Sequence, residues 1–275
     1  MSTKTPHSEI RTNAAVRAVV SREEWLIRRI QLLEKEKAAT RLHDQIAAER
    51  MTLPCVRIDK NYRFDGPNGR ETLADLFAGR SQLIIYHFMF GPGWKEGCVG
   101  CSFLSDHFDG PRTHLENHDV SFAVVSRAPF DELAVFKKRM GWGFHWVSSF
   151  GSDFNYDFDA SYTNESMAQG PTYNNYQVRT STAEGETSGT SAFYKDANGD
   201  IYHTYSTYAR GCEPLVGTYA LLDMAPLGRN ETGPTHNLTD WVRHHDRYQH
   251  GGHVAPDGRY VAPDAPCCNH ESPSA

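Results

Sequence analysis

The most constraining feature of this chain is a short apolar run, residues 82–90 (QLIIYHFMF), followed by a break at Gly91-Pro92-Gly93-Trp94 and then by Cys98-Val99-Gly100-Cys101. The run is too short for an ordinary buried helix and is rich in β-branched and aromatic residues, so it reads as a central strand covered on both faces. Gly-Pro-Gly cannot continue a strand, and residues 102–114 read as a helix. A buried strand leading through a break into a helix that starts on two cysteines demands a layered α/β architecture.

The rest of the chain extends that layout. Residues 120–125 are a second buried strand, ended by Arg127-Ala128-Pro129. Residues 131–139 read as a helix with Phe130, Leu133 and Phe136 on its apolar side, and 144–147 as a short strand. Strands at 191–195 and 201–205 flank Asp196-Ala197-Asn198-Gly199, a hairpin signal, and 214–223 is a further helix. The order is strand, cysteine-bearing helix, strand, helix, antiparallel hairpin, helix. With a right-handed crossover this is a thioredoxin-like α/β fold, a central mixed sheet flanked by helices.

Four segments follow. Residues 1–20 read as a flexible N-terminus. Residues 21–50 read as a helical arm, opened by Ser21 and Glu24 at capping-box spacing and carrying Leu26, Ile30, Leu33, Leu42 and Ile46 as an apolar stripe. That stripe either packs on its own domain or forms a homodimer with a second copy. Residues 51–248 form the thioredoxin-like domain, within which 151–189, rich in Asn, Ser, Tyr and Gly, reads as a long irregular loop. Residues 249–275 read as a disordered tail.

The net charge of −6 gives no general attraction to nucleic acid or to an anionic membrane. There is no apolar run of about eighteen residues that would span a bilayer. The polar start lacks a secretory signal, which makes the expected location cytoplasmic. In that compartment a close cysteine pair points to catalysis or metal binding more than to a structural disulfide. Of the six cysteines, Cys55, Cys98, Cys101, Cys212, Cys267 and Cys268, only Cys98 and Cys101 have an informative spacing.

A cysteine at a helix start is flanked by unpaired backbone N–H groups, which favour the thiolate, the form that attacks disulfides. Cys101 lies one turn deeper, placed to resolve a mixed disulfide. Metal binding is the alternative, although a tetrahedral zinc site needs two more ligands, and His203 or tail histidines would have to be recruited. Trp94 is a candidate lining residue, Arg127 a candidate thiolate partner and Thr190 a candidate facing residue. Each has an ordinary structural reading as packing, ion pairing or strand. His87 reads as a hydrogen-bonded core histidine and Cys212 as buried filler. No cofactor or metal is expected.

Several stretches together carry a family resemblance: residues 21–44 (SREEWLIRRIQLLEKEKAATRLHD), 82–90, 97–103 (GCVGCSF), 124–129 (VVSRAP), 139–142 (RMGW), 152–158 (SDFNYDF) and 203–211 (HTYSTYARG). The sequence resembles a domain-of-unknown-function family described as predicted dithiol–disulfide oxidoreductases, within the thioredoxin-like superfamily. The resemblance implies a thioredoxin-like fold and a redox role for Cys98 and Cys101, exchanging disulfides with a protein or a low-molecular-weight thiol. Two departures stand out. Val99-Gly100 replaces the Pro-Ser usual in the family, and Thr190-Ser191 stands where thioredoxins carry a substrate-docking proline. A peroxiredoxin-like peroxidase is the rival enzyme, in which Cys98 would become a sulfenic acid resolved by Cys101. Its Thr-x-x-Cys pattern is absent here, since Lys95-Glu96-Gly97 precede Cys98. The third reading is a metal-binding or interaction protein built on the same scaffold.

Overall fold

A computed structural model describes residues 18–179 and 183–263. The long arm comes first, as helix α1 (Arg22–Met51), and Ser21 caps it by accepting the Glu24 N–H at 3.1 Å. Contrary to packing on its own domain, α1 has no buried residue, and Trp25, Leu26, Ile30, Leu42 and Ile46 are exposed. Its contact with the body of the fold includes Arg50 over the Tyr205 ring.

Short strands β1 (Val56–Arg57), β2 (Arg63–Gly66) and β3 (Gly69–Thr72) precede the central strand β4 (Gln82–His87). The chain continues through α2 (Val99–Ser105), α3 (Asp109–Asn117), β5 (Val120–Ser126), α4 (Phe130–Met140) and β6 (His145–Ser148). The helix expected at 102–114 is therefore two helices, and it begins at the cysteine pair. Residues 151–189 are not the irregular loop their composition suggests. Among the described residues they form α5 (Phe154–Asp157), β7 (Ser161–Tyr162), α6 (Asn164–Ala168), β8 (Tyr173–Asn174), β9 (Gln177–Val178) and β10 (Gly185–Glu186). Buried Phe154, Phe158 and Tyr162 anchor this segment, so aromatic burial outweighs its polar composition.

The hairpin β11 (Gly189–Lys195) and β12 (Ile201–Tyr208) follows, then α7 (Gly217–Met224). The eight-stranded sheet runs β1-β12-β11-β4-β5-β6-β2-β3. Strands β4, β5 and β6 are parallel, and β11 lies antiparallel on the other side of β4. That arrangement is thioredoxin-like: the strand before the cysteines is central, with its parallel partner on one side and the antiparallel hairpin on the other. Alternation along β4 sends Leu83 and Ile85 into one apolar layer and Tyr86 and Phe88 toward the layer that holds both cysteines.

The tail expected to be disordered is ordered as far as it is described. Residues 249–263 carry a second hairpin, β13 (His253–Val254) and β14 (Tyr260–Val261). Cys267 and Cys268, and residues 1–17 of the expected flexible N-terminus, lie outside the described residues.

Candidate active site

The loop after β4 turns back so that Met89 holds both cysteines by its backbone. Its carbonyl accepts from Cys98 N at 3.0 Å, and its N–H points to Cys101 Sγ at 3.4 Å. The Gly-Pro-Gly break makes that reversal, with Gly93 at φ +78°, a conformation glycine adopts without strain. Gly97 has a different role: a Cβ there would stand 2.5 Å from Phe88 Cε1, so the segment entering the cysteines lies flat on the aromatic core. Cys98 then caps α2 and receives the Ser102 N–H and Ser102 Oγ on its carbonyl, at 3.0 and 2.8 Å.

Both thiols are free and buried, with Cys98 5% and Cys101 2% exposed. They lie in one buried cluster, and their acidities are pushed apart. The Cys101 thiol, and then the backbone N–H groups of Cys101 and Gly100, hold Cys98 below the ordinary thiol range, against burial and the nearby Asp257 carboxylate. Burial, and then Cys98 itself, drives Cys101 well above that range, although the Tyr86 hydroxyl and the Met89 N–H stabilise its sulfur. The negative charge therefore belongs on Cys98, the outer sulfur, with Cys101 as its proton-bearing neighbour.

The proposed supporting residues divide. Trp94 packs at the rim of the cysteine cluster beneath the Arg259 guanidinium, 5.4 Å from the ring centre. Arg127 is not a thiolate partner. Its guanidinium is spent on the buried Glu186, at 2.9 and 2.7 Å, and on the Tyr156 hydroxyl at 3.0 Å. Glu186 also accepts from Ser161, and burial still holds its carboxyl above the usual range despite Arg127. Thr190 pairs with Tyr86 across the sheet, and its hydroxyl contacts Cys212 Sγ at 3.6 Å, so it supports the layer behind Cys101. Cys212 is buried in that same layer. His87 is the core histidine expected, with Nε2 2.8 Å from Ser191 Oγ. No group of three metal-ligating side chains occurs among the described residues.

Composition hid a further set of residues. The chain from 238 onward wraps the cysteine helix. Leu238 lies over Gly100, where a Cβ would meet its Cδ1 at 3.2 Å, and Trp241 meets the Phe103 ring edge-on at 5.5 Å. Buried His244 donates from Nε2 to the Gly97 carbonyl at 2.9 Å. Glu96 binds Arg139 and Arg247, each at 2.6 Å, and Arg139 also binds Asp246 at 2.8 Å, which fastens this segment to the loop before the cysteines. Beyond it, the turn of the β13–β14 hairpin covers Cys98, and Val99 N donates to the Gly258 carbonyl at 2.8 Å. The signal for that turn was present as Pro256-Asp257-Gly258, a turn tripeptide.

The fold and site together define a thioredoxin-like protein with a Cys-x-x-Cys at the start of the helix that follows the central strand. Residues 14–248 match the family model described as a bacterial protein of unknown function (DUF899), and the chain belongs to that family. No curated protein matches. Among solved structures, a cysteine-to-serine mutant of PrxQ from Xylella fastidiosa is similar at 15% identity and TM-score 0.40, covering 61% of this chain and 94% of that one. Peroxidoxin BcpB from Mycobacterium tuberculosis is similar at 11% and 0.37, covering 60% and 95%. A putative thiol:disulfide interchange protein DsbE from Chlorobium tepidum is similar at 11% and 0.35, covering 62% and 98%.

Proposed function

We propose that this chain is a thiol–disulfide oxidoreductase whose working pair is Cys98 and Cys101. The observation that carries the reading is a pair of free thiols in one buried cluster at the start of α2, whose acidities are shifted in opposite directions, the outer one down and the inner one up. In the reaction the Cys98 thiolate attacks one sulfur of a substrate disulfide, forming a mixed disulfide and expelling the other sulfur as a thiolate. Cys101 then loses its proton and attacks Cys98 Sγ, which breaks the mixed disulfide and releases the second substrate thiol. The substrate disulfide gains two electrons, the Cys98–Cys101 pair loses two, and an external dithiol restores the pair. Trp94 lines the approach, and Thr190 supports the layer behind Cys101. The reading places the reaction in the cytosol, on a protein or low-molecular-weight disulfide.

The test is a titration of the reduced chain in thiol–disulfide buffers, read by mass-shift labelling of individual cysteines. A reversible two-electron transition confined to Cys98 and Cys101 is expected, and Cys101→Ser should accumulate mixed disulfides through Cys98. Peroxide consumption should be no faster than that of Cys98→Ser. Two thiols that stay reduced across the whole range of buffers would overturn the reading.

A further inference from the structure

Cys98 is closed off by the chain itself, and the manner of closure resembles the seating of a ligand. The turn Ala255–Gly258 is a β-turn, with Gly258 N donating to the Ala255 carbonyl at 2.9 Å and Ala255 N to Arg259 at 2.8 Å. It presents a backbone carbonyl, that of Gly258, to the free N–H of Val99, the residue next to the nucleophile. The contact admits nothing larger than glycine. Gly258 has φ +86°, and a Cβ on it would stand 2.7 Å from Cys98 Sγ. On one side Arg259 stacks on Trp94, and on the other Tyr260 meets His244 at 6.1 Å and Arg247 at 5.0 Å. The hairpin also borders a cleft of about 550 Å³ with Gly93, Lys95, Glu96 and Arg247, which gives the segment room to lift.

We propose that the turn at 255–259 is an internal occupant of the substrate site. The site then takes the main chain of a peptide, with a small residue against Cys98 and a carbonyl on Val99 N–H, and the C-terminal hairpin governs access to the sulfur. This rests on the redox reading of Cys98 and deepens it: the substrate class is a peptidyl disulfide, not a peroxide or a free small thiol. The backbone contact supplies affinity without regard to side chains, as in other recognition of an extended chain. Glycine at 258 makes the hairpin a fitting occupant that carries no disulfide at the point of contact.

The test uses the full-length reduced chain and two readouts, deuterium exchange at the Val99 amide and the rate of Cys98 alkylation by iodoacetamide, quantified by peptide mass. Gly258→Val, strained by its positive φ and by the clash with sulfur, should raise both rates by about tenfold or more. Arg259→Ala removes the stacking on Trp94 and the ion pair with Asp257 within the turn, should raise them by about threefold, and serves if the valine variant does not fold. A synthetic peptide of residues 253–261 added to Gly258→Val should restore protection saturably, and the same peptide with valine at the glycine position should not. Rates within twofold of wild type in folded Gly258→Val and Arg259→Ala, or equal protection by both peptides, would overturn the proposal. The redox titration separates the two ideas. A hairpin that opens over a pair that never forms a disulfide removes the redox reading alone. A pair that titrates normally, with both rates unmoved, removes the occupant alone.

Discussion

Arg127 was the candidate thiolate partner and His87 the expected core histidine, and both serve the fold. Burial among Phe154 and Phe158 drives the His87 imidazole down to about 3, so the folded chain keeps it neutral. Unfolded, the ring binds a proton below about pH 6.5. Its contribution to stability is therefore complete above that pH and is lost as pH falls toward 3, with a slope approaching about 1.4 kcal/mol per pH unit. Urea unfolding between pH 4 and 8 should give a pH slope for His87→Gln shallower by up to one proton. Arg127→Ala leaves the Glu186 carboxylate buried without its partner and should cost about 3–5 kcal/mol, because a lone buried charge is costly. Cys98 alkylation per folded molecule should stay within twofold of wild type, which would confirm that Arg127 does not stabilise the thiolate.

At the scale of elements, the connection from β4 to α2 sets the geometry of the cysteines. Gly97 lies against Phe88 and Phe136, and Gly97→Ala should cost about 1–3 kcal/mol by overpacking. Since Met89 anchors both cysteines, the same variant should also shift the reduction potential of the pair, measured in the same thiol–disulfide buffers. The elements legible in the sequence were those whose signal is local. The apolar run of β4, the Asp-Ala-Asn-Gly hairpin between β11 and β12, and the Ser21 cap of α1 each carry their own propensity. The 151–189 segment and the β13–β14 hairpin were not legible, because their strands are two residues long and exist through contacts with distant residues. Ser161 meets Glu186 and Val99 meets Gly258 across gaps in sequence that no periodicity reports.

For the whole molecule, the arm and the C-terminal segment behave in opposite ways. α1 stands away from the domain with its apolar side chains exposed, steadied by ion pairs such as Arg28–Glu24 and Arg29–Glu36 along its own surface. Such pairs contribute only a few tenths of a kcal/mol each, so a 30-residue helix gains most from a partner that covers its exposed apolar side chains. We expect α1 to pair with a second copy of this chain. Sedimentation should give a dimer at micromolar concentration, and Leu26→Lys with Ile30→Lys should give a monomer with unchanged Cys98 alkylation. A wild-type monomer at those concentrations would remove the pairing. Among the described residues no helix is long and apolar enough to cross a membrane.

The sequence by itself determined the central strand, the pair of sulfurs at the start of the helix after it, and the crossover that makes the sheet thioredoxin-like. Those features follow from short-range rules: apolar runs, turn residues and the reach of one helical turn. Only the tertiary structure decided that Arg127 serves Glu186, that Thr190 backs Cys212, and that a turn more than 150 residues away closes over Cys98. Those outcomes depend on which buried groups meet across the chain, where burying an unpaired charge or an unfilled N–H costs more than any local preference supplies.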